Sequence, residues 1–395
     1  MSMKETAITH GTSILLLISL IALPAASQEV ELDQRLVAMA GSAAELEAAN
    51  AIDAEESAIN VLTLSDAWLT EYPESEIRHT VLLTRLRTYV NLNNNQGALT
   101  AGEAYIAAES GFYDAKIAEI EDPSDVDGFA DFQHNHFANS TYAYQSMMTA
   151  NRGLNRVDET ARYGDLAFDS ASETWNIQSQ ILERGSPEYQ EADQRRNQAQ
   201  LFFLENVMAA YQSANNADKT IEYAERALRI DPQSLATLIT ISQVMSERPP
   251  ASELQREAHF ESAEEYAEQA LDVLENFLEA AGAQLGAQQR AALLSGAHFA
   301  LGTVYLNQEE WGDAQDEFEE ALESVPTDAI AYLRLGMAYA RDDEAEDALE
   351  ALARSVFLNG PDQARELLEQ IYEVRNDDLT GMDAFIQSQG AEISR

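Results

Sequence analysis

Along most of the chain, apolar residues recur at three- and four-residue spacing in blocks separated by short polar turns, the pattern of paired amphipathic helices. The clearest pair of blocks is centred on Leu301, Gly302 and Tyr305, which return 34 residues later as Leu335, Gly336 and Tyr339. The second halves keep the step, with Ala314 matched by Ala348 and Phe318 by Leu352, and Pro326 and Pro361 close the two units. Each unit therefore predicts two helices joined by a polar turn. A glycine in a helix interior costs about 1 kcal/mol, so Gly302 and Gly336 must be compensated by close packing of a neighbouring helix. Ala314, Ala321 and Ala348 serve the same close contact from the second helix. Pro326, followed by Thr327 and Asp328, ends one helix and caps the next. One such hairpin cannot bury both its faces, so copies must stack.

Weaker copies extend upstream. Tyr211 to Pro232 repeats the spacing of Tyr305 to Pro326, with Thr220, Ala224 and Ala227 at the small-residue sites. The next unit begins at Leu235 and resumes at Phe260, lengthened by an insert around Pro249 and Pro250. Tyr89 precedes Ala98 as Tyr305 precedes Ala314, marking a unit over 79–112 with its turn at 91–97. Residues 35–73 and 133–172 predict further degenerate hairpins. Two stretches break the period: an acidic loop from Glu119 to Phe132, and residues 173–200, where Gly185 and Pro187 suggest an irregular bend. After Pro361 a helix over 362–374 is expected to cap the stack, with 381–389 docked on it.

This set of residues resembles the tetratricopeptide repeat: an aromatic, two residues, Leu-Gly, two residues, Tyr, then alanine, an aromatic and proline at fixed offsets. The match is strongest over 295–361, and His298 stands where the first aromatic is usual. The resemblance implies an all-α, right-handed superhelical solenoid of helix-turn-helix repeats. The chain then divides into a signal peptide (1–27), degenerate helical repeats (28–172), the bend (173–200), tetratricopeptide repeats (201–361) and a capping helix with tail (362–395). The resemblance also implies that the functional surface is the concave face made by the first helices of successive units. On that face it places Phe202, Asn206, Ile239, Gln243, Phe299, Thr303, Leu333, Arg334, Met337 and Arg341, with Glu205, Ala209, Thr240 and Leu306 beside them. Repeats of this family that clamp a peptide carboxylate present lysine and asparagine there. Phe299, Thr303, Leu333 and Met337 stand in their place, which implies an apolar groove with two arginines, suited to an extended or helical segment with apolar anchors.

Residues 1–12 carry Lys4, an apolar run follows from Ile14 to Leu23, and Pro24 to Gln28 supplies small residues, the pattern of a secretory signal peptide. The run is shorter than the roughly 20 residues a membrane span needs. Cleavage between Ala26 and Glu29 is expected, with the mature chain exported to a bacterial periplasm or beyond and carrying no membrane span.

Composition narrows the chemistry. The chain has 395 residues, with 69 acids against 24 bases, a formal charge of −45, and no cysteine. Such acidity argues against a nucleic-acid partner, which is held by phosphate neutralisation. Without cysteine, disulfide scaffolds, thiolate zinc sites and cysteine nucleophiles are excluded. Residues 122–131 alternate acids before Gly128 like a calcium loop, but Pro123 and His134 stand where that pattern requires acidic ligands. His134 and His136 would point apart on a helix, so no metal is expected there. No nucleophile elbow, phosphate loop or zinc-protease motif occurs. The helix from Glu309 to Glu323 carries eight acids and no base; a solvated face is the default cause, and of the two others scarce lysine favours adaptation to high salt over a basic partner. These features together predict a non-catalytic protein-interaction scaffold or adaptor of the bacterial cell envelope, without cofactor or metal, binding a protein or peptide partner. The alternatives are a self-assembling structural envelope protein and a hydrolase on a helical-repeat frame.

Overall fold

The computed structural model describes residues 32–250, 252–281 and 286–393. The expected signal peptide and its cleavage site lie outside the described residues. All regular structure among the described residues is helical. Successive hairpins are formed by α1 (Ala43–Asp53) and α2 (Ala58–Glu71), α3 (Arg78–Asn91) and α4 (Asn95–Ala118), α5 (Phe129–Gly153) and α6 (Val157–Ile181), and α7 (Pro187–Ser213) and α8 (Ala217–Ile230). They continue with α9 (Leu235–Glu247) and α10 (Glu253–Ala281), α11 (Ala287–Gln308) and α12 (Trp311–Ser324), and α13 (Ala329–Arg341) and α14 (Ala345–Phe357). Then α15 (Asp362–Asn376) packs on α14, and α16 (Met382–Ile393) docks on α14 as well.

One turn closes most of these hairpins. Asn93, Asn155, Asn215, Glu309 and Asp343 each follow a first helix with φ between 52° and 69°. In every case the next residue's N–H donates to the carbonyl five positions earlier: Asn94 to Tyr89, Arg156 to Asn151, Asn216 to Tyr211, Glu310 to Tyr305 and Glu344 to Tyr339, at 2.9–3.0 Å. This is the Schellman arrangement, which satisfies carbonyls left free at a helix end and turns the chain back on itself. Asparagine and aspartate tolerate the left-handed region better than other residues with a Cβ, so they are the natural choices. Side-chain caps then start the second helices: Asn94 accepts from Gly97 N at 2.9 Å and Asn216 from Lys219 N at 3.2 Å.

The core runs along the stack as a series of hydrophobic clusters in which alanines and aromatics recur. Ala224, Ala227, Ala314, Ala321 and Ala348 are fully buried, as are Phe203 and Phe318 within 1%. Trp68 closes the first hairpin, donating its indole N–H to the Glu45 carbonyl at 3.0 Å. Residues 173–200 differ from expectation: α6 runs through to Ile181 and α7 starts at Pro187, leaving only 182–186 outside helix. Pro187 occupies the first helical turn, where its missing N–H has no helical partner to lose, so it begins α7 rather than breaking it. The acidic loop between α4 and α5 is a seat for the chain before α1. Asp33 N donates to the Asp127 carbonyl at 3.1 Å, and Leu36, Val126 and Phe132 bury together.

The close approach expected at Gly336 is present. A Cβ built there would lie 2.7 Å from Leu352 Cγ and 3.2 Å from the Leu352 backbone nitrogen. We expect Gly336→Ala to lower stability by about 1–3 kcal/mol through overpacking, outweighing the helix propensity gained. Thermal unfolding checks this, with Gly312→Ala, where an added Cβ meets no atom within 4 Å, as the neutral or stabilised control.

Candidate functional site

The first helices α1, α3, α5, α7, α9, α11 and α13 share one face, and side chains link them across units. Asn206 on α7 accepts from Arg152 on α5, and its amide donates to the Phe202 carbonyl at 2.7 Å. Arg334 on α13 pairs with Glu247 at the end of α9 at 3.2 Å. Phe202, Ile239, Gln243, Phe299 and Met337 are half-buried, and Phe299 lies 5.6 Å from the Phe318 ring. Arg341 is exposed, with its guanidinium 6.0 Å from the Trp311 ring.

Three of the residues expected on this face are buried away from a ligand, one of them Leu306, which is 6% exposed and packs in the core with Ala314, Phe318 and Leu322. Thr303 is fully buried, and its hydroxyl donates to the Phe299 carbonyl at 2.8 Å, the usual way a helical threonine is satisfied inside a protein. Leu333 is 4% exposed and packs with Leu349, Leu352 and Leu368, because α14 and α15 cover that side of α13. Glu205 is also turned inward. It accepts from the Ser234 hydroxyl at 2.7 Å and the Thr237 hydroxyl at 3.2 Å, tying α7 to the start of α9. Burial pushes its carboxyl above the usual range, against those two hydrogen bonds.

The concavity with convergent chemistry lies further toward the N-terminus. A cavity of about 510 Å³ opens between α1, α3 and α5, with α4 behind it and Leu32 to Ala38 along one side. Its walls are apolar and polar in about equal share, the apolar residues including Ile52, Ile77, Val81, Leu83 and Phe132. Its polar residues are His79, Tyr105, Glu109 and His136, with Asn50, Asp53, Thr80, Thr84, Arg87, Asn135 and Asn139. Glu109 is 6% exposed and sits between two imidazoles. Its Oε1 is 3.0 Å from His136 Nδ1, and its Oε2 is 3.7 Å from His79 Nε2. Both rings are held by stacking: His136 on Tyr113 at 3.8 Å and His79 on Phe112 at 4.6 Å between centroids. Tyr105 is completely buried, and its hydroxyl has no hydrogen-bond partner. Burial, with the charge of Glu109, pushes that hydroxyl well above the usual phenol range, so it stays protonated.

His134 points elsewhere, with Nε2 at 2.7 Å from the Gln178 amide, so the two histidines of the sequence pair serve different neighbours. Among the described residues, no group of three histidines or acids is placed to hold a metal ion. In the acidic loop, the Asp122 carboxylate accepts from Ser124 N at 2.9 Å and Ser124 Oγ at 2.8 Å. Local motifs gave no warning of the cavity. His79, Glu109 and His136 are separated by 30 and 27 residues, and only the fold brings them together.

Burial is the largest influence on His79 and pushes its imidazole below the ordinary value. The charge of Glu109 and the Glu76 carbonyl pull the other way, and His136 adds to the lowering. The 3.7 Å contact with Glu109 is thus an ion pair only when His79 is protonated, and burial favours the neutral ring. The unfolded chain then takes up the proton first as pH falls, so stability is lost below the ordinary imidazole pKa of about 6.5. We expect the melting temperature to fall more steeply from pH 7 toward pH 5.5 in the wild type than in His79→Gln. Parallel slopes would contradict the assignment.

No protein-family model and no curated protein matches the sequence. Solved structures with similar chains include a tetratricopeptide repeat protein from Parabacteroides merdae, 11% identical, covering 80% of this chain and 99% of that one, with a TM-score of 0.39. YrrB, described as a TPR protein with an unusual peptide-binding site, is 15% identical over 57% of this chain and 91% of that one, with a TM-score of 0.37. MamA from Desulfovibrio magneticus RS-1 is 18% identical over 49% and 95%, with a TM-score of 0.34. The chain's own geometry defines the fold: paired helices, the glycine contact at Leu352, and one turn shared by five of the hairpins. The fold is an all-α array of tetratricopeptide-type hairpins.

Proposed function

We propose that the chain is a non-catalytic scaffold that binds segments of a protein partner along the face made by its first helices, after export from the cytoplasm. The observation that carries this reading is the cavity between α1, α3 and α5, whose mixed apolar and polar lining suits an anchor side chain. Half-buried Phe202, Ile239, Phe299 and Met337 supply further apolar surface on later first helices. Such a face suits an extended or helical segment that inserts a side chain at intervals. Export is supported by the sequence of residues 1–27 alone. The exposed acids of α12, Asp313, Asp316, Glu319, Glu320 and Glu323, lie on a second helix and serve solvation there.

Photo-crosslinking tests the binding face. A crosslinker at Asn135 on the cavity rim or at Phe299 is expected to join one contiguous partner segment in native envelopes, and one at Glu320 to join none. Crosslinks from Glu320 alone would move the site to the second helices and overturn the reading.

A second reading, a hydrolase on a helical-repeat frame, is favoured by the convergence of Glu109, His79, His136 and Tyr105 in one cavity. Acid–base catalysis would require one of these groups to exchange a proton with substrate. Turnover of chromogenic ester, amide or glycoside substrates that disappears in Glu109→Gln would support it. Absence of turnover in the wild type leaves the binding reading in place.

A further inference from the structure

The cavity holds a charge problem that its own residues do not solve. Glu109 is a buried carboxylate whose side-chain neighbours are two imidazoles rather than fixed cations. Lys116, about two turns along the same helix, is committed to Glu76 at 3.2 Å and lies 5.5 Å over the Phe112 ring. Asp53 adds a second acid to the lining, and its carboxylate accepts only a long 3.4 Å bond from Thr84. The single base of the lining is Arg87, exposed at the mouth, with its guanidinium 5.7 Å from the Tyr142 ring. A carboxylate taken out of water without a permanent counter-charge is costly, and a well-placed, hydrogen-bonded cation offsets that cost. Beside it, the Tyr105 hydroxyl is fully buried, lacks a partner, and has oxygen lone pairs free to accept an N–H. At about 510 Å³ the cavity lies within the range of small-ligand pockets and exceeds what one aliphatic side chain fills.

We propose that this cavity is a binding pocket for an organic cation, the guanidinium or ammonium of a basic side chain on a partner segment, with Glu109 as its counter-charge and the Tyr105 oxygen as a hydrogen-bond acceptor. The apolar walls from Ile52, Ile77 and Val81 accept the alkyl stem, and Asp53 at the mouth draws the charged end inward. The overall charge of −45 adds a long-range attraction for basic segments. The inference rests on the scaffold reading for the source of the cation and goes beyond it in naming the chemistry.

Calorimetric titration of the full chain in 0.5 M salt tests it, because screening at that ionic strength suppresses unspecific attraction to the acidic surface. The probes are propylguanidinium, a peptide of alternating arginine and alanine, and the same peptide with glutamate for arginine. Both basic probes are expected to bind the wild type, at least tenfold more weakly to Glu109→Gln and several-fold more weakly to Tyr105→Phe. Exposed Glu320→Gln should leave both affinities unchanged. Tyr105→Phe removes an unpartnered hydroxyl and is expected to fold normally, so the test survives should Glu109→Gln not fold. No binding of either basic probe, or equal affinity across all variants, overturns the pocket. So does binding of the glutamate peptide that is lost in Arg87→Gln. Glu109-dependent binding of propylguanidinium without the arginine peptide keeps the pocket but counts against a protein partner at this site. Peptide binding that ignores Glu109 does the reverse.

Discussion

Most of this array depends on reversing the chain within three residues, and five of the seven described hairpins do it the same way. The reversal places one residue in the left-handed region and returns the following N–H to a carbonyl five residues back, which fixes how a second helix leaves the first. Four of the five accepting carbonyls belong to tyrosines: Tyr89, Tyr211, Tyr305 and Tyr339. The residue that marks the repeat in the sequence therefore also marks the end of the first helix. With the reversal fixed, each hairpin presents small residues on one side, and the next can approach as closely as Gly336 approaches Leu352. Glu309 is the exception among the turn residues, since neither asparagine nor aspartate occupies that left-handed position, and an acid-rich helix follows it. Its cost, about 1 kcal/mol, is borne by the contacts of α11 and α12 with their neighbours.

The candidate site arises where the array departs from its repeat. The second helices α8 and α12 have 14 residues, but α4 has 24. Glu109, Phe112, Tyr113 and Lys116 all lie on the part of α4 beyond that shorter length. These residues hold the two histidines by stacking and place the buried carboxylate between them. The loop that α4 feeds into binds the segment before α1, and that segment in turn forms a side of the cavity. A regular repeat would have ended before any of these groups appeared. Degeneracy of the repeat in this region is what makes room for chemistry.

This also explains what the sequence could and could not show. Helix pairing, the glycine contact and the turns were legible because they depend on residues within one unit, at fixed spacing. The irregular stretch expected over 173–200 shrinks to 182–186, because Gly185 turns the chain within that short connection and Pro187 opens a helix instead of breaking one. Thr303 and Leu333 were misplaced for a different reason. Helical periodicity tells which residues share a stripe, but burial is decided by which neighbour covers the stripe, here α14 and α15 for Leu333. The cavity was invisible because its polar residues come from different helices and no short motif joins them. The pair His134 and His136 did draw attention, and periodicity separated them correctly, but the partner of His136 lies on another helix.

The acidity of the chain divides into two physically different kinds. Carboxylates such as Glu320 and Glu323 on α12 stand in water, where each is hydrated and mutual repulsion fades with salt. Glu109 is shielded from that screening by its burial, so its need for a counter-charge persists at any ionic strength. A net charge of −45 says nothing about where a cation would be recognised, since most of those acids attract it equally and weakly. Recognition requires a carboxylate that water cannot satisfy, beside an acceptor that nothing else has filled. Among the carboxylates of the first-helix face, Glu205 meets the first condition but not the second, because Ser234 and Thr237 already occupy it. Glu109 meets the first, and Tyr105 in the same cavity supplies the second.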